Sequence, residues 1–442
     1  TEVNQLTRMM YRADKNNFAP RFGFAWNPGR GQTVVRGGYG ISYAAILPVS
    51  YGMARFNPPQ VQVYLVQAPD LLHPLAGSTA RPSSQFLLSP DLIPAYSHQY
   101  TLAIERALPG AMSLRAAYLG SRTFHLLTQQ VYNRARPSAV LPNTTATVQA
   151  RRPNPNLADI NVIESNANAY YDALQLTLDK RISRGLAFRA VYTFGKNIDT
   201  GGDFTNTATG VERPPETGIT TCEECDRISD HKGVSLFDTP HALVFSYSYL
   251  IPFRTASRWA NTVLSGWQVS GTTIFQSGIP YHLHTGSDGP GLGNVDGVSQ
   301  DRPNITNSRL LGSSFDDPDT SVQRLGADTC RLLSPGEVPA GVAPYIRCSS
   351  FDSNLPLGGR GNLGWNTFRK DGTHNWNVSL GKTFSLPGGR ERTVQFRAEF
   401  INFFNHAIFD KPNVQMSSPI FGQITNTANK GRQIQFSLRL NL

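Results

Sequence analysis

The chain has 442 residues, enough for two or three ordinary domains or one very large β-architecture. Charged residues are only 16% and aromatics reach 10%, which excludes disorder throughout; no apolar run approaches the ~18 residues of a transmembrane helix. The net charge of +10 is scattered, with no basic run longer than Arg151-Arg152 and no recognition-helix pattern, so nucleic acid is excluded as a partner.

Period-two alternation, which puts successive side chains on opposite faces of a strand, recurs along the chain. Strands are predicted at 21–27 and 33–43, joined by Pro28-Gly29-Arg30-Gly31, then at 96–108 and 111–121 around Pro109-Gly110. Residues 173–182 set Leu174, Leu176, Leu178 and Ile182 against Gln175, Thr177, Asp179 and Arg181. After Arg184-Gly185, residues 186–195 turn Leu186, Phe188, Ala190, Tyr192 and Phe194 to one side. Strands follow at 239–252 and at 265–277, where Trp267, Val269 and Phe275 oppose Gln268, Ser270, Thr272 and Gln276. After 374–385, residues 392–404 put Val394, Phe396, Ala398, Phe400 and Phe404 opposite Gln395, Arg397 and Glu399. The last strand is the cleanest: Ile434, Phe436, Leu438, Leu440 and Leu442 form one face, and Gln433, Gln435, Ser437, Arg439 and Asn441 the other.

These are about eleven strands, and their connections alternate short and long without exception. The long ones fill 44–95, 122–169, 197–238, 278–373 and 405–431. Soluble domains rarely tolerate connections beyond ~15 residues, whereas outer-membrane barrels pair short periplasmic turns with long extracellular loops. Tyr and Trp near strand ends (Trp26, Tyr43, Tyr96, Tyr118, Tyr170, Trp267, Trp376) suit interfacial girdles. The predicted fold is therefore all-β: a transmembrane antiparallel barrel whose apolar face meets outer-membrane lipid and whose polar face lines a lumen. An odd strand count and the lack of a leader before Thr1 give the expectation of an incomplete chain, 1–442 being one partial barrel domain.

Several segments resemble the barrel of TonB-dependent receptors, in particular the Oar-like group with a carboxypeptidase-regulatory-like N-terminal domain. They are Asn17-Phe18-Ala19-Pro20-Arg21-Phe22-Gly23-Phe24-Ala25-Trp26 with Val35-Arg36-Gly37-Gly38-Tyr39-Gly40, then Gly266-Trp267-Gln268-Val269-Ser270-Gly271 running to Gln276-Ser277-Gly278-Ile279-Pro280. Asp301-Arg302-Pro303-Asn304 follows, then Gln395-Phe396-Arg397-Ala398-Glu399-Phe400 with Phe403-Phe404-Asn405-His406, and Arg432-Gln433-Ile434-Gln435-Phe436. The resemblance implies a 22-stranded barrel of which this chain is the C-terminal half, with the regulatory-like domain, plug and first barrel half lying outside it. It implies import of an unidentified solute across the outer membrane, a TonB partner acting through the missing N-terminal region, and recognition by the barrel-assembly machinery. The family's last strand usually ends in an aromatic residue; this one ends in Leu442. The alternatives are an adhesion or structural barrel without active transport, and a passive porin-like channel.

The candidate sites are few. Asn294, Asp296 and Asp301 lie in a Gly-rich loop, where closely spaced oxygens suit a loop Ca²⁺ or simply a solvated loop. His282 and His284 alternate onto one face, either bridging a metal or sitting exposed at the rim. Gly289, Gly291 and Gly293 lack the strand and helix of a phosphate loop. Cys222, Cys225, Cys330 and Cys348 form two local pairs, read as disulfides, with free thiols or a metal as alternatives. On the inner face, Arg36, Arg115, Arg181, Arg189, Arg397 and Arg439 either attract anionic solutes or bond to Asp179, Glu105 and Glu399 in a packed wall. No nucleophile or paired catalytic carboxylates stand out, and no enzyme activity or further cofactor is expected.

Overall fold

The computed structural model describes residues 11–12, 14–46, 57, 64–65, 72–73, 78–201, 221–222, 228–253, 255–298, 300–306, 308, 350–385 and 392–441. Among these residues, eleven long strands form one antiparallel meander in chain order. They are β1 (Arg21–Trp26), β2 (Thr33–Tyr43), β3 (Tyr96–Leu108), β4 (Met112–Tyr132), β5 (Ile160–Ser183) and β6 (Leu186–Asp199). Then come β7 (His241–Leu250), β8 (Trp267–Gln276), β9 (Thr373–Ser385), β10 (Thr393–Ile401) and β11 (Gln433–Asn441). Every strand foreseen in the sequence is present.

Register keeps one face largely apolar along the sheet. Val394 faces Leu440, Phe396 faces Leu438, Ala398 faces Phe436 and Phe400 faces Ile434. The same face continues through Leu380 opposite Ala398, and through Phe188 opposite Tyr247 and Leu186 opposite Tyr249. A slip of one residue would turn every such side chain to the other face, so the pattern itself fixes the pairing. The outward side chains are exposed in the isolated chain: Phe22 is 70%, Phe436 68% and Leu438 73% accessible. Such a stripe is stable only against lipid. Where glycine lies on this face, a neighbouring ring covers the gap: a Cβ on Gly120 would meet Tyr100 at 2.1 Å, and one on Gly37 would meet Phe24 at 2.2 Å.

Rings gather near the strand ends. Tyr43, Tyr96, Phe124 and Tyr170 form a chain with centroids 5.7, 5.5 and 6.4 Å apart, and Phe275, Trp376 and Phe404 another at 5.7 and 5.6 Å. These are the girdles at one end; Trp267 against Phe396 at 6.4 Å marks the other.

The short connections are tight. Arg184 and Gly185 both have positive φ between Ser183 and Leu186, the two-residue turn whose twist matches the flanking strands. The link after β7 carries a short helix, α1 (Arg258–Leu264), capped by the Ser257 hydroxyl. Lys382 folds over its end and donates to the carbonyls of Thr262, Val263 and Ser265.

Two strands are much longer than their alternation announced. The sequence placed them at 111–121 and 173–182, yet β4 has 21 residues and β5 has 24. The register shifts between Thr123 and Leu127, where His125 adopts positive φ, and this irregularity breaks the period while pairing resumes beyond it. Short parallel strands Gln85–Leu88 and Thr221–Cys222 run along the tall hairpin, the first beside β5 and the second beside β4. At the other boundary, β10 ends at Ile401 because Asn402 turns with positive φ, so Phe404 lies outside the strand. Of the four cysteines, Cys225, Cys330 and Cys348 lie outside the described residues, and Cys222 is placed only by its backbone opposite Gln130. Leu442 also lies outside them.

Candidate functional site: the packed loops at one end of the sheet

The described parts of the long connections lie at the same end and pack on one another. Their apolar nucleus is Tyr281, Leu283, Phe351, Leu363, Phe368, Met416 and Phe421, all buried. Tyr281 meets Phe368 at 6.0 Å and Phe351 meets Phe421 at 6.4 Å, so the segments after β8 and after β10 share one core. Backbone bonds join them, Met416 N–H donating to the His284 carbonyl at 2.9 Å.

Buried polar groups tie in the remaining loops. Asp238, 1% exposed, accepts from Arg369 and lies 3.6 Å from Lys196 of β6. The side chain of Asn133, at the tip of the tall hairpin, donates to the carbonyls of Asn154, Leu157 and Ala158. Arg151, buried, donates to the carbonyls of Arg136 and Val295 and has no carboxylate partner among the described residues. Arg152 pairs with Asp159 at 2.7 Å and Arg134 with Asp296 at 3.1 Å.

Asn294, Asp296 and Asp301 come together, but not as a solvated loop: all three are buried. Asn294 N–H donates to Asp301 Oδ2 at 3.0 Å, its Nδ2 donates to Asp296 Oδ2, and Val298 N–H donates to Asp296 Oδ1. Asp288, which sequence reasoning passed over, accepts from the N–H groups of Asp296 and Gly297. Most of these oxygens accept from N–H donors that hold the turns, the common Asx use of short acidic side chains. Burial pushes the Asp288 carboxyl up to about 6 and raises that of Asp296. Among the described residues, no group of three or more His, Cys, Asp or Glu side chains is placed to hold a metal ion.

His282 and His284 were expected at an exposed rim; instead His282 is buried against the Trp365 ring at 4.6 Å, with the His284 ring 6.3 Å away. Packing of the loops, which alternation cannot report, buries His282 and half-buries His284. His282 Nδ1 bonds Asn366 Oδ1 at 3.2 Å, and Asn366 Nδ2 donates to the Val234 carbonyl, which assigns the imidazole proton to Nδ1. His231, missed in the sequence, presses the same tryptophan at 3.9 Å, and Arg302 stacks on it at 4.9 Å. Burial lowers His231 and His282 to about 3 and His284 to about 4; nearby Arg302 and Lys411 push in the same direction. The cavity beside these histidines measures about 30 Å³, too small for an organic solute. A larger one, about 200 Å³, opens between the hairpin tip, Pro153, Asp296 and Gly358.

The arginines expected on the inner face follow the register. Arg397 lies opposite Ser437, and Arg439 opposite Gln395, on the face shared with Glu399. Arg397 pairs with Glu399 at 2.7 Å and donates to Ser379, and Arg189 pairs with Asp179 at 3.1 Å. Arg36, Arg181 and Arg439 are exposed on the polar side.

The model of one family, described as outer membrane beta barrel domain, matches residues 1–435. The chain belongs to that family. The barrel domain places the protein in the outer membrane, which accounts for the exposed apolar stripe. Among solved structures it is similar to the outer membrane transporter YddB from Escherichia coli, at 10% identity and a TM-score of 0.49, covering 96% of this chain and 41% of that one. It is also similar to the ferripyoverdine receptor of the outer membrane of Pseudomonas aeruginosa, at 11% identity and a TM-score of 0.41, covering 97% and 33%. The ferric enterobactin receptor PfeA of the same organism gives 12% identity and 0.41, covering 96% and 40%. The barrel domain thus spans about two fifths or less of the length of these structures. No curated protein matches.

Proposed function

We propose that this chain is the barrel segment of a TonB-dependent receptor of the Oar-like group, residues 1–442 forming one partial barrel domain. It binds a solute at the extracellular face and passes it inward when a plug, outside this chain, rearranges under TonB. The observation that carries the reading is the folded loop assembly: loops with their own apolar nucleus and buried ion pairs present a fixed surface, as capture requires. The ordered motifs from Asn17 to Phe436 support the subgroup. In this reading the loops bind and the inner-face arginines line the path; the chain has no catalytic role, and Cys222 with Cys225 and Cys330 with Cys348 close loop disulfides.

Uptake by cells carrying the full-length protein tests it. Dissipating the inner-membrane potential with a protonophore should abolish accumulation and leave surface binding intact. Uptake that continues identifies a passive channel instead. Binding to surfaces that persists with no uptake in either state, and disappears on deletion of loop 278–373, identifies adhesion.

A further inference from the structure

The cavity of about 200 Å³ at the hairpin tip has the dimensions of one sugar ring rather than of a large chelate. It is rigid. Asn133, in the left-handed region, anchors one wall through three carbonyls, and Pro137 and Pro153 form fixed apolar sides. Gly358 closes over Pro137 with positive φ, where a Cβ would meet the ring at 3.2 Å.

Its charge is lopsided. Arg134 and Arg136 line it against one carboxylate, Asp296, whose Oδ2 already accepts from Arg134 and Asn294. Arg136 is exposed, and its guanidinium has no partner among the described residues. Behind the wall sits Arg151, buried with only carbonyl and hydroxyl oxygens around its charge. The nearby acids are committed: Asp159 to Arg152, and Glu164 to Tyr132, whose ring lines the cavity. A cavity with low-dielectric walls focuses such a field, and guanidinium forks match planar oxyanions.

We propose that this cavity is a binding site for a small hydroxylated solute bearing an oxyanion, a carboxylate or a phosphate, with Arg136 as its principal ligand. The proposal rests on the receptor reading and gives it a solute class. Arg136 supplies a forked pair of N–H donors to the oxyanion. Arg134, held by Asp296, also lines the cavity, and Gln130 and Tyr132 offer polar groups to the hydroxyls.

The test is calorimetric binding to the intact full-length protein purified from outer membranes, with galacturonate, galactose and inorganic phosphate as probes at fixed ionic strength. Galacturonate should bind at least tenfold more tightly than galactose, which carries a hydroxymethyl group in place of the carboxylate, and phosphate should displace it. Arg136→Ala should weaken galacturonate tenfold or more, and Arg136→Lys, which keeps the charge and loses the fork, should fall between. Because Arg136 is exposed and unpaired, both variants keep the fold, checked by unchanged protease resistance of the loops. Equal affinity for galactose and galacturonate, no binding of any probe, or wild-type affinity in Arg136→Ala each overturns the site. Binding in detergent needs no TonB, so this outcome is read apart from the protonophore experiment: transport can fail with the site intact, and the site can fail with energised uptake intact.

Discussion

The wall and the loops of this barrel domain solve opposite packing problems. In the wall, large apolar side chains such as Phe436 and Leu438 point outward and stay accessible, because lipid is their solvent. In the loops, Phe421, Leu363 and Leu283 are completely buried, together with histidines, arginines and aspartates that a membrane wall would place in its lumen. The comparison teaches that the described chain keeps its conventional core outside the membrane. The wall is held by hydrogen-bonded register and bilayer; the loop assembly is held as a small soluble domain would be, by close packing and satisfied polar groups.

Four measurements break or sharpen that contrast. The largest effect is expected from Phe421→Ala, which empties the centre of the loop nucleus at a cost of about 3–5 kcal/mol. In the full-length protein, limited proteolysis should then cut the loops while the wall still migrates as a folded, heat-modifiable barrel; coupled loss of both would show that the two regions are not separate. Next comes Leu438→Arg on the lipid face, costing about 2–4 kcal/mol if the residue lies near the bilayer midplane. It should lower the folded fraction in a urea titration with vesicles, and wild-type behaviour would deny that this face meets lipid.

Acid provides the third. His231, His282 and His284 have folded values of about 3 to 4, below the ordinary value near 6.5. The unfolded loops therefore take up protons first, and the stabilisation present above about pH 6.5 is lost as pH falls toward 3 to 4. Arg302 and Lys411 face these rings and resist their protonation. Asp288, raised to about 6, works the other way, since between its ordinary value and 6 the folded state holds the extra proton. Three histidines outweigh it, so hydrogen exchange of residues 280–306 should accelerate from pH 7 to pH 5 while β9–β11 stay protected. The smallest effect is a chelator's: EDTA should leave the protease resistance of the loop at 288–301 unchanged, because N–H donors hold its carboxylates. Loss of resistance would restore calcium to that loop.

How much of this was legible follows from the same contrast. Alternation at Ile434, Phe436, Leu438 and Leu440 reports a strand because two solvents act on its two faces at every step. It failed beyond Gly120 and before Leu174, where the outward positions carry Arg122 and Asp172, 2.8 Å apart, and where the shift near His125 breaks the period. In the loops no period exists. Asn294, Asp296 and Asp301 were singled out as oxygen ligands and do converge, yet they bind backbone N–H groups. His282 and His284 looked peripheral because nothing local announces Trp365, which comes from more than 80 residues away. Arg151-Arg152, noted only as the longest basic run, turned out to be two buried anchors of the loop assembly.

The tall hairpin carries a further consequence. Crossing a bilayer takes roughly ten residues of a tilted strand, so β4 and β5, with 21 and 24 residues, have about as much ladder again to spare. At ~3.3 Å per residue along a strand tilted about 45°, that surplus lifts the connecting segment roughly 25–33 Å clear of the lipid headgroups. Val140, 91% exposed in the segment that joins β4 to β5, is carried up with it. The hairpin works as a buttress that holds the packed loops above the membrane, and a short epitope inserted at Val140 should be readable on living cells.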